Sequence, residues 1–147
     1  MSNCFRDTKK NANNISNKNF RFVLGCATDK NLIDRLFSKE KVQIVFHAAA
    51  YKHVPIVEEN PLQGIENNVI STAVVCNASY KSNVENFCLI STDKAVRPTN
   101  VMGASKRLSE LLVQSYANLE SSKEKDDNNQ FKTTFSMVRF GNVLDSS

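Results

Sequence analysis

Leu89-Ile-Ser-Thr-Asp-Lys-Ala-Val-Arg-Pro-Thr-Asn-Val-Met-Gly-Ala-Ser-Lys-Arg107 is the stretch around which the chain is organised. It begins as an apolar run and ends as a helix. Between the two sit Ser91, Thr92, Asp93, Lys94 and a turn containing Pro98. Lys106 follows Met102 by one helical turn, so the two share a face. Packing alone does not call for so many polar groups directly after a buried strand; a site does.

Upstream, Val42 to Ala50 reads as a strand with almost no polar interruption, running into His47-Ala-Ala-Ala. A continuous apolar strand indicates a parallel sheet covered on both faces. Before it, Asn31 to Phe37 places Leu32, Ile33, Leu36 and Phe37 at helical spacing, and Phe20 to Leu24 is a short β-type run ended by Gly25. Residues 1–19, rich in Asn, Lys and Ser, read as a loop or disordered lead-in. Tyr51 to Pro55 reads as a turn or irregular segment. Pro61 opens a predicted helix that runs to about Lys81, with Asn60 as its cap and Ile65, Val69, Ala73 and Cys76 on one stripe.

Downstream, Phe87 to Ser91 is the next strand. The helix from Val101 to Leu119 carries Leu108, Leu111, Leu112 and Tyr116 as its apolar face. Glu120 to Gln130 is a charged loop. Thr133 to Arg139 is a last strand, followed by Phe140-Gly-Asn-Val-Leu. The order β-α-β-α-β-α-β specifies an α/β fold with a parallel sheet of the Rossmann type. In such sheets ligands bind beyond the carboxyl ends of the strands. His47, Ser91 to Lys94, and Gly141-Asn142 all lie at or just after strand ends, so they are expected to converge on one cleft.

The 147 residues make one domain at most, and a content of 41% hydrophobic and 23% charged residues is that of a soluble globular protein. The net charge of +4 is spread without aromatic interleaving, which argues against nucleic-acid binding. The four cysteines, at 4, 26, 76 and 88, form no Cys-x-x-Cys pair and read as reduced, buried thiols of a cytoplasmic protein. His47 and His53 lack partners at metal-ligand spacing, so no metal site is expected. No apolar run reaches the ~18 residues of a membrane span, and no signal peptide is read.

The motifs together resemble a known family. Ser91-Thr-Asp-Lys-Ala and Pro98-Thr-Asn-Val-Met-Gly-Ala-Ser-Lys-Arg are similar to the extended short-chain dehydrogenase/reductases of polysaccharide biosynthesis. These are the CapD-like epimerase/dehydratases, including the inverting UDP-N-acetylglucosamine 4,6-dehydratases. Val45-Phe-His-Ala-Ala-Ala-Tyr-Lys-His-Val-Pro, Asn67-Asn-Val and Val138-Arg-Phe-Gly-Asn-Val-Leu extend the resemblance over residues 20–147.

The resemblance implies NAD or NADP as cofactor and a UDP-sugar substrate converted to a 4-keto-6-deoxy sugar nucleotide, with C4 or C5 epimerisation as the alternative. It implies that Asp93 and Lys94 handle elimination and C5 reprotonation, Thr92 contacts the C4 hydroxyl and Lys106 the cofactor ribose. Cys26, Ala27, Ala48, Ala49, Ala50 and Lys52 fall at cofactor positions, and His53, Asn100 and Asn142 at substrate positions. It also implies homo-oligomers and a parent protein that is membrane-associated at the cytoplasmic face.

Three departures stand out. The family's Tyr-x-x-x-Lys is Met102-x-x-x-Lys106, and a thioether cannot carry a proton. The four glycines, at 25, 64, 103 and 141, make no G-x-x-G-x-x-G turn to seat a pyrophosphate. Cys26 stands where the family usually has an Asp near the adenine. The expectation is therefore a partial nucleotide-binding domain at residues 20–147, lacking the first βαβ unit. Such a chain, alone, would retain no cofactor and show no turnover; a catalytically silent half-domain is the competing reading.

Overall fold

The computed structural model describes residues 21–122 and 132–141. The expected lead-in, Phe20, most of the predicted 120–130 loop, and Asn142 lie outside the described residues. Helix α1 spans Lys30–Glu40. The Asp29 side chain accepts the Leu32 N–H at 3.0 Å and so caps its first turn. At the far end, Lys41 takes the left-handed conformation that lets the chain leave the helix. Strand β1 spans Ile44–His47 and ends earlier than the apolar run, because its ladder with the next strand stops at the His47–Leu89 pair.

A short helix not read from the sequence, α2, follows at Val54–Glu59; Pro55 sits in its first turn, where no N–H is missed. Then α3 (Pro61–Ile65), a π-helical turn (Glu66–Ile70) and α4 (Ser71–Lys81) run on continuously over the predicted range. Asn60 stands at the N-cap of α3, where its carbonyl accepts the Gly64 N–H at 3.0 Å, but its side chain makes no cap bond and its amide donates back to the Ile56 carbonyl at 2.9 Å. The buried stripe also differs from the predicted one. Ile65 is exposed, and Asn68, Ser71, Thr72, Val75, Cys76, Ala78 and Ser79 are buried. A π-turn adds a residue to one turn, and that slips the phase of everything read at a period of 3.6.

Strand β2 spans Asn86–Thr92, a 3₁₀ turn takes Asp93–Ala95, helix α5 spans Val101–Ser122, and β3 spans Thr134–Phe140. The three strands are parallel in the order β1-β2-β3. Register puts Val45, Phe87 and Phe135 in one row and His47, Leu89 and Met137 in the next. On this face Phe37, Val75, Cys76, Ala78 and Val113 from the helices close the core. The ring centroids of Phe87 and Phe135 lie 5.4 Å apart, as do those of Phe135 and Tyr116.

The opposite face is bare among the described residues: Ile44 is 54% and Phe46 73% exposed, and Val138 and Phe140 are also exposed. Coverage of both faces is therefore not present in this segment. The expected strand at Phe20 to Leu24 is not formed over Arg21–Leu24, where no neighbouring strand pairs with it among the described residues.

Helix α5 corrects a further expectation. Leu108 and Leu111 are exposed, and the buried stripe is Met102, Ser105, Lys106, Ser109, Glu110 and Val113. Glu120 to Ser122, read as loop, continue this helix. The polar stripe is tolerated because it is hydrogen-bonded. Glu110, with no exposed side-chain surface, receives Arg139 Nε at 2.8 Å and Nη2 at 2.7 Å, Ser91 Oγ at 2.7 Å and Arg107 Nη1 at 2.9 Å. Burial pushes its carboxyl up, but the bonds from Arg139, Ser91 and Arg107 outweigh that and hold it at about 2.

Glu110→Ala removes these hydrogen bonds but leaves Arg107 and Arg139 partly solvated, so it is expected to lower unfolding stability by about 1.5–3 kcal/mol in denaturant titrations. With its folded-state value depressed, Glu110 contributes stability above about pH 4.5 that is lost as pH falls through about 2. Glu110→Gln should flatten the stability profile in that window.

Candidate active site

All three strands end at one pocket of about 320 Å³. Ala48, Ala50, Tyr51 and Lys52 reach it from the end of β1. Ile90, Ser91, Thr92 and Lys94 come from β2 and its turn, Met102 and Lys106 from α5, and Phe140 and Gly141 from the end of β3. This is the carboxyl edge of a parallel sheet, where backbone and loops diverge and leave room for a ligand.

The β2 turn is held locally. Thr92 Oγ1 donates to Asp93 Oδ1 at 3.0 Å and accepts the Lys94 N–H at 3.4 Å. Lys94 Nζ stands 3.8 Å from the same carboxylate oxygen. The Thr92 hydrogen bond, helped by the Lys94 charge, holds the Asp93 carboxyl below its usual range. Asp93 is thus an ionised carboxylate in contact with a hydroxyl that faces the pocket.

Lys106 is buried, and its Nζ donates to the Ile90 carbonyl at 2.7 Å. Burial lowers its pKa, and nearby Glu110 partly opposes that. Met102, in the place of the family tyrosine, is 4% exposed and presents a thioether to the pocket.

Behind the pocket, Asn68 in the π-turn ties three elements. Its Oδ1 accepts the Tyr51 N–H at 2.7 Å. Its Nδ2 donates to the Tyr51 carbonyl at 3.2 Å and to Ser105 Oγ at 2.9 Å. Its own carbonyl accepts the Thr72 and Ser109 hydroxyls. The wall carrying Tyr51 and Lys52 is thereby fixed to α5 one residue before Lys106. His47 lies beneath, 3.1 Å from Thr72 Oγ1. Burial, reinforced by the Lys106 charge, pulls it down to about 4.

Of the residues singled out in the sequence, Thr92, Lys94, Met102, Lys106, Ala48, Ala50 and Lys52 line the pocket. Asp93 reaches it through Thr92. Ala49 and His53 are on the β1–α2 connection but do not line it; His53 precedes the first turn of α2. Cys26 and Ala27 precede α1; Cys26 Sγ contacts Thr28 Oγ1 at 3.0 Å, and Ala27 packs on the core. Asn100 is engaged at the start of α5, where its Oδ1 accepts the Gly103 N–H at 2.7 Å. Tyr51, Ile90 and Phe140 line the pocket without having been singled out, since apolar residues at strand ends look like core in a sequence. Among the described residues no cluster of His, Cys, Asp or Glu is placed to hold a metal ion, and no helix is long and apolar enough to cross a membrane.

A family model described as polysaccharide biosynthesis protein matches residues 3–147. The chain belongs to that family. It is 44% identical over 124 residues to the capsular polysaccharide biosynthesis protein CapD of Staphylococcus aureus, covering 84% of this chain and 19% of CapD. To the inverting UDP-N-acetylglucosamine 4,6-dehydratase of Campylobacter jejuni it is 35% identical over 133 residues, covering 90% of this chain and 37% of that enzyme. A UDP-glucose 4-epimerase of Rickettsia canadensis stands at 37% over 144 residues, covering 96% of this chain and 39% of that protein.

The crystal structure of Pen from Bacillus thuringiensis superposes with a TM-score of 0.80 at 30% identity, over 97% of this chain and 41% of Pen. The sheet is of the Rossmann type seen in these epimerases and dehydratases. The chain spans between about a fifth and two fifths of the length of these relatives.

With its folded-state pKa of about 4 against an ordinary 6.5, His47 contributes stability present above pH 6.5 and lost as pH falls through about 4. Titration by NMR should find His47 neutral at pH 5. His47→Gln should remove the part of the acid destabilisation that falls between those values.

Proposed function

We propose that this segment forms the substrate-facing wall of a nucleotide-sugar 4,6-dehydratase acting on UDP-N-acetylglucosamine in surface-polysaccharide biosynthesis. The observation that carries the reading is the Thr92-Asp93-Lys94 turn at the pocket, facing a helix whose proton-carrying tyrosine is a methionine. Met102 cannot take a proton, so the acid–base work falls to the turn.

A substrate hydroxyl that donates to Thr92 Oγ1 is joined to the Asp93 carboxylate through the 3.0 Å Thr92–Asp93 bond. That gives the C4 hydroxyl proton a two-step path to a base. The resulting 4-keto group acidifies C5–H. Asp93, now holding the C4 proton, passes it to the departing C6 hydroxyl, and the carboxylate so freed takes the C5 proton, with the Lys94 ammonium 3.8 Å away stabilising the charge. Return of that proton to C5 leaves Asp93 ionised for the next cycle.

The nicotinamide fits only in part. Lys106 and Lys52 would hold its ribose, and Ala48 and Ala50 line the same pocket. When bound, the nicotinamide ring supplies the reversible hydride acceptor for the C4 and C6 carbons. The pyrophosphate has no glycine-rich turn in this sequence to seat it, so the 147-residue chain is expected to hold the cofactor weakly. The match to UDP-glucose 4-epimerases makes C4 epimerisation the second reading. It lacks a use for an acid–base pair aimed at C5 and C6.

In a complete enzyme carrying this segment, incubation with UDP-N-acetylglucosamine in D₂O should give a 4-keto-6-deoxy product deuterated at C5. Asp93→Asn should reduce turnover by about 10²-fold or more. Near-normal turnover in that variant would refute the assignment, and a C4 epimer without loss of water would favour the second reading.

A further inference from the structure

We infer that Gly103 is a positioning residue for the Asp93–Lys94 turn, acting by leaving room for the Lys94 carbonyl on the first turn of α5. The inference rests on reading that turn as the acid–base pair. A β-carbon built on Gly103 would lie 2.5 Å from the Lys94 carbonyl oxygen and 3.3 Å from its carbonyl carbon. The Asn100 Oδ1 atom also stands at 3.3 Å, but the shortest contact is to backbone, so no side-chain rotation relieves the overlap. Either α5 or the turn must shift.

The neighbourhood shows which of the two can give. Helix α5 is anchored at this end by Asn100, whose Oδ1 accepts the Gly103 N–H at 2.7 Å and whose carbonyl accepts the Ala104 N–H at 2.9 Å. The Glu58 carboxylate of α2 accepts the Val101 N–H, and farther along α5 the Glu110 cluster fastens it to β2 and β3. The turn is held by less. Thr92 Oγ1 bonds the Lys94 N–H at 3.4 Å, the Val96 N–H reaches the Asp93 carbonyl at 3.0 Å, and Ala95 is buried. An added methyl group at position 103 therefore displaces the turn and carries the Asp93 carboxylate and Lys94 amine away from the pocket.

Gly103 has ordinary helical backbone, not a conformation reserved for glycine. On helix propensity alone, alanine would stabilise α5. The glycine runs against that preference, and the Lys94 carbonyl is the contact that accounts for it. Asn100, read from the sequence as a substrate contact, belongs to the same seat.

The test is Gly103→Ala. In the 147-residue chain, a crystal structure of the variant should show the Lys94 carbonyl moved by about 1 Å while α5 keeps its place. In a complete enzyme carrying the segment, a shift of that size should lower kcat by about 10- to 100-fold with KM for the nucleotide sugar nearly unchanged, the signature of lost positioning. An unmoved turn overturns the inference, as does a wild-type kcat or a variant stabilised as propensity alone predicts. A variant that fails to fold also overturns it, because the contact is assigned to the turn and not to the core. A displaced turn in a protein whose wild type shows no dehydratase turnover leaves the positioning intact and refutes the functional reading instead.

Discussion

A carboxylate with no exposed surface has to be neutralised where it stands, and Glu110 is neutralised by two strands and its own helix. Arg139 comes from β3, Ser91 from β2 and Arg107 from α5. Because β2 and β3 are in register at Ser91 and Arg139, one side chain clamps both strands just before they end. Ser91 itself lines the pocket and Thr92 follows it, so the clamp stands at the pocket's edge. Burying such a charge costs several kcal/mol before its partners offset it, so its value here is geometric rather than a net gain in stability. It fixes the distance between the β2 turn and the face of α5 that carries Met102 and Lys106.

Much of this was legible in the sequence for a physical reason. Strands β1 and β2 are short apolar runs, α5 opens after a Pro-containing turn, and the polar residues follow β2 directly. Alternation and spacing report such features without help from the fold. What could not be read was which side chains are buried. Leu108 and Leu111 look like a core stripe, yet α5 buries Ser105, Lys106, Ser109 and Glu110 in their stead. A buried polar residue is paid for by partners distant in sequence, such as Asn68 for Ser105 and Arg139 for Glu110, and periodicity contains no information about them. The π-turn at Glu66–Ile70 is a second source of error, since it changes the period itself. The predicted strand at Phe20 to Leu24 failed over its described part for a third reason: a strand needs a neighbour, and local propensity does not supply one.

The candidate site divided the same way. Thr92, Asp93, Lys94, Met102 and Lys106 could be named because they are close in sequence and strand-to-helix geometry brings them to one edge. Asn100 shows a role the sequence left open, because an Asn before a helix and an Asn facing a substrate are the same residue in a sequence. The 2.7 Å bond to the Gly103 N–H shows the helix-capping role. Asn68 is the converse case. The π-turn aims its amide at the Tyr51 backbone, and a residue that could pass for a ligand contact becomes the brace of the pocket wall.

Replacing tyrosine by methionine at position 102 changes what Lys106 has to do. Beside a phenol, a buried ammonium lowers the phenol's pKa and makes it a usable base. Beside a thioether there is no proton to influence. The Lys106 ammonium instead donates to the Ile90 carbonyl, two residues before Thr92, and so steadies the strand that delivers the turn. Burial already disfavours its charge, and this one carbonyl, with Glu110 nearby, is what keeps the charged form supported. Under the proposed dehydratase reading, proton transfer is concentrated on the Thr92-Asp93-Lys94 turn, which has few anchors of its own. A site arranged this way depends less on the pKa of one tyrosine than on where a three-residue turn sits. That places the burden of precision on the Lys94 carbonyl and the glycine beneath it.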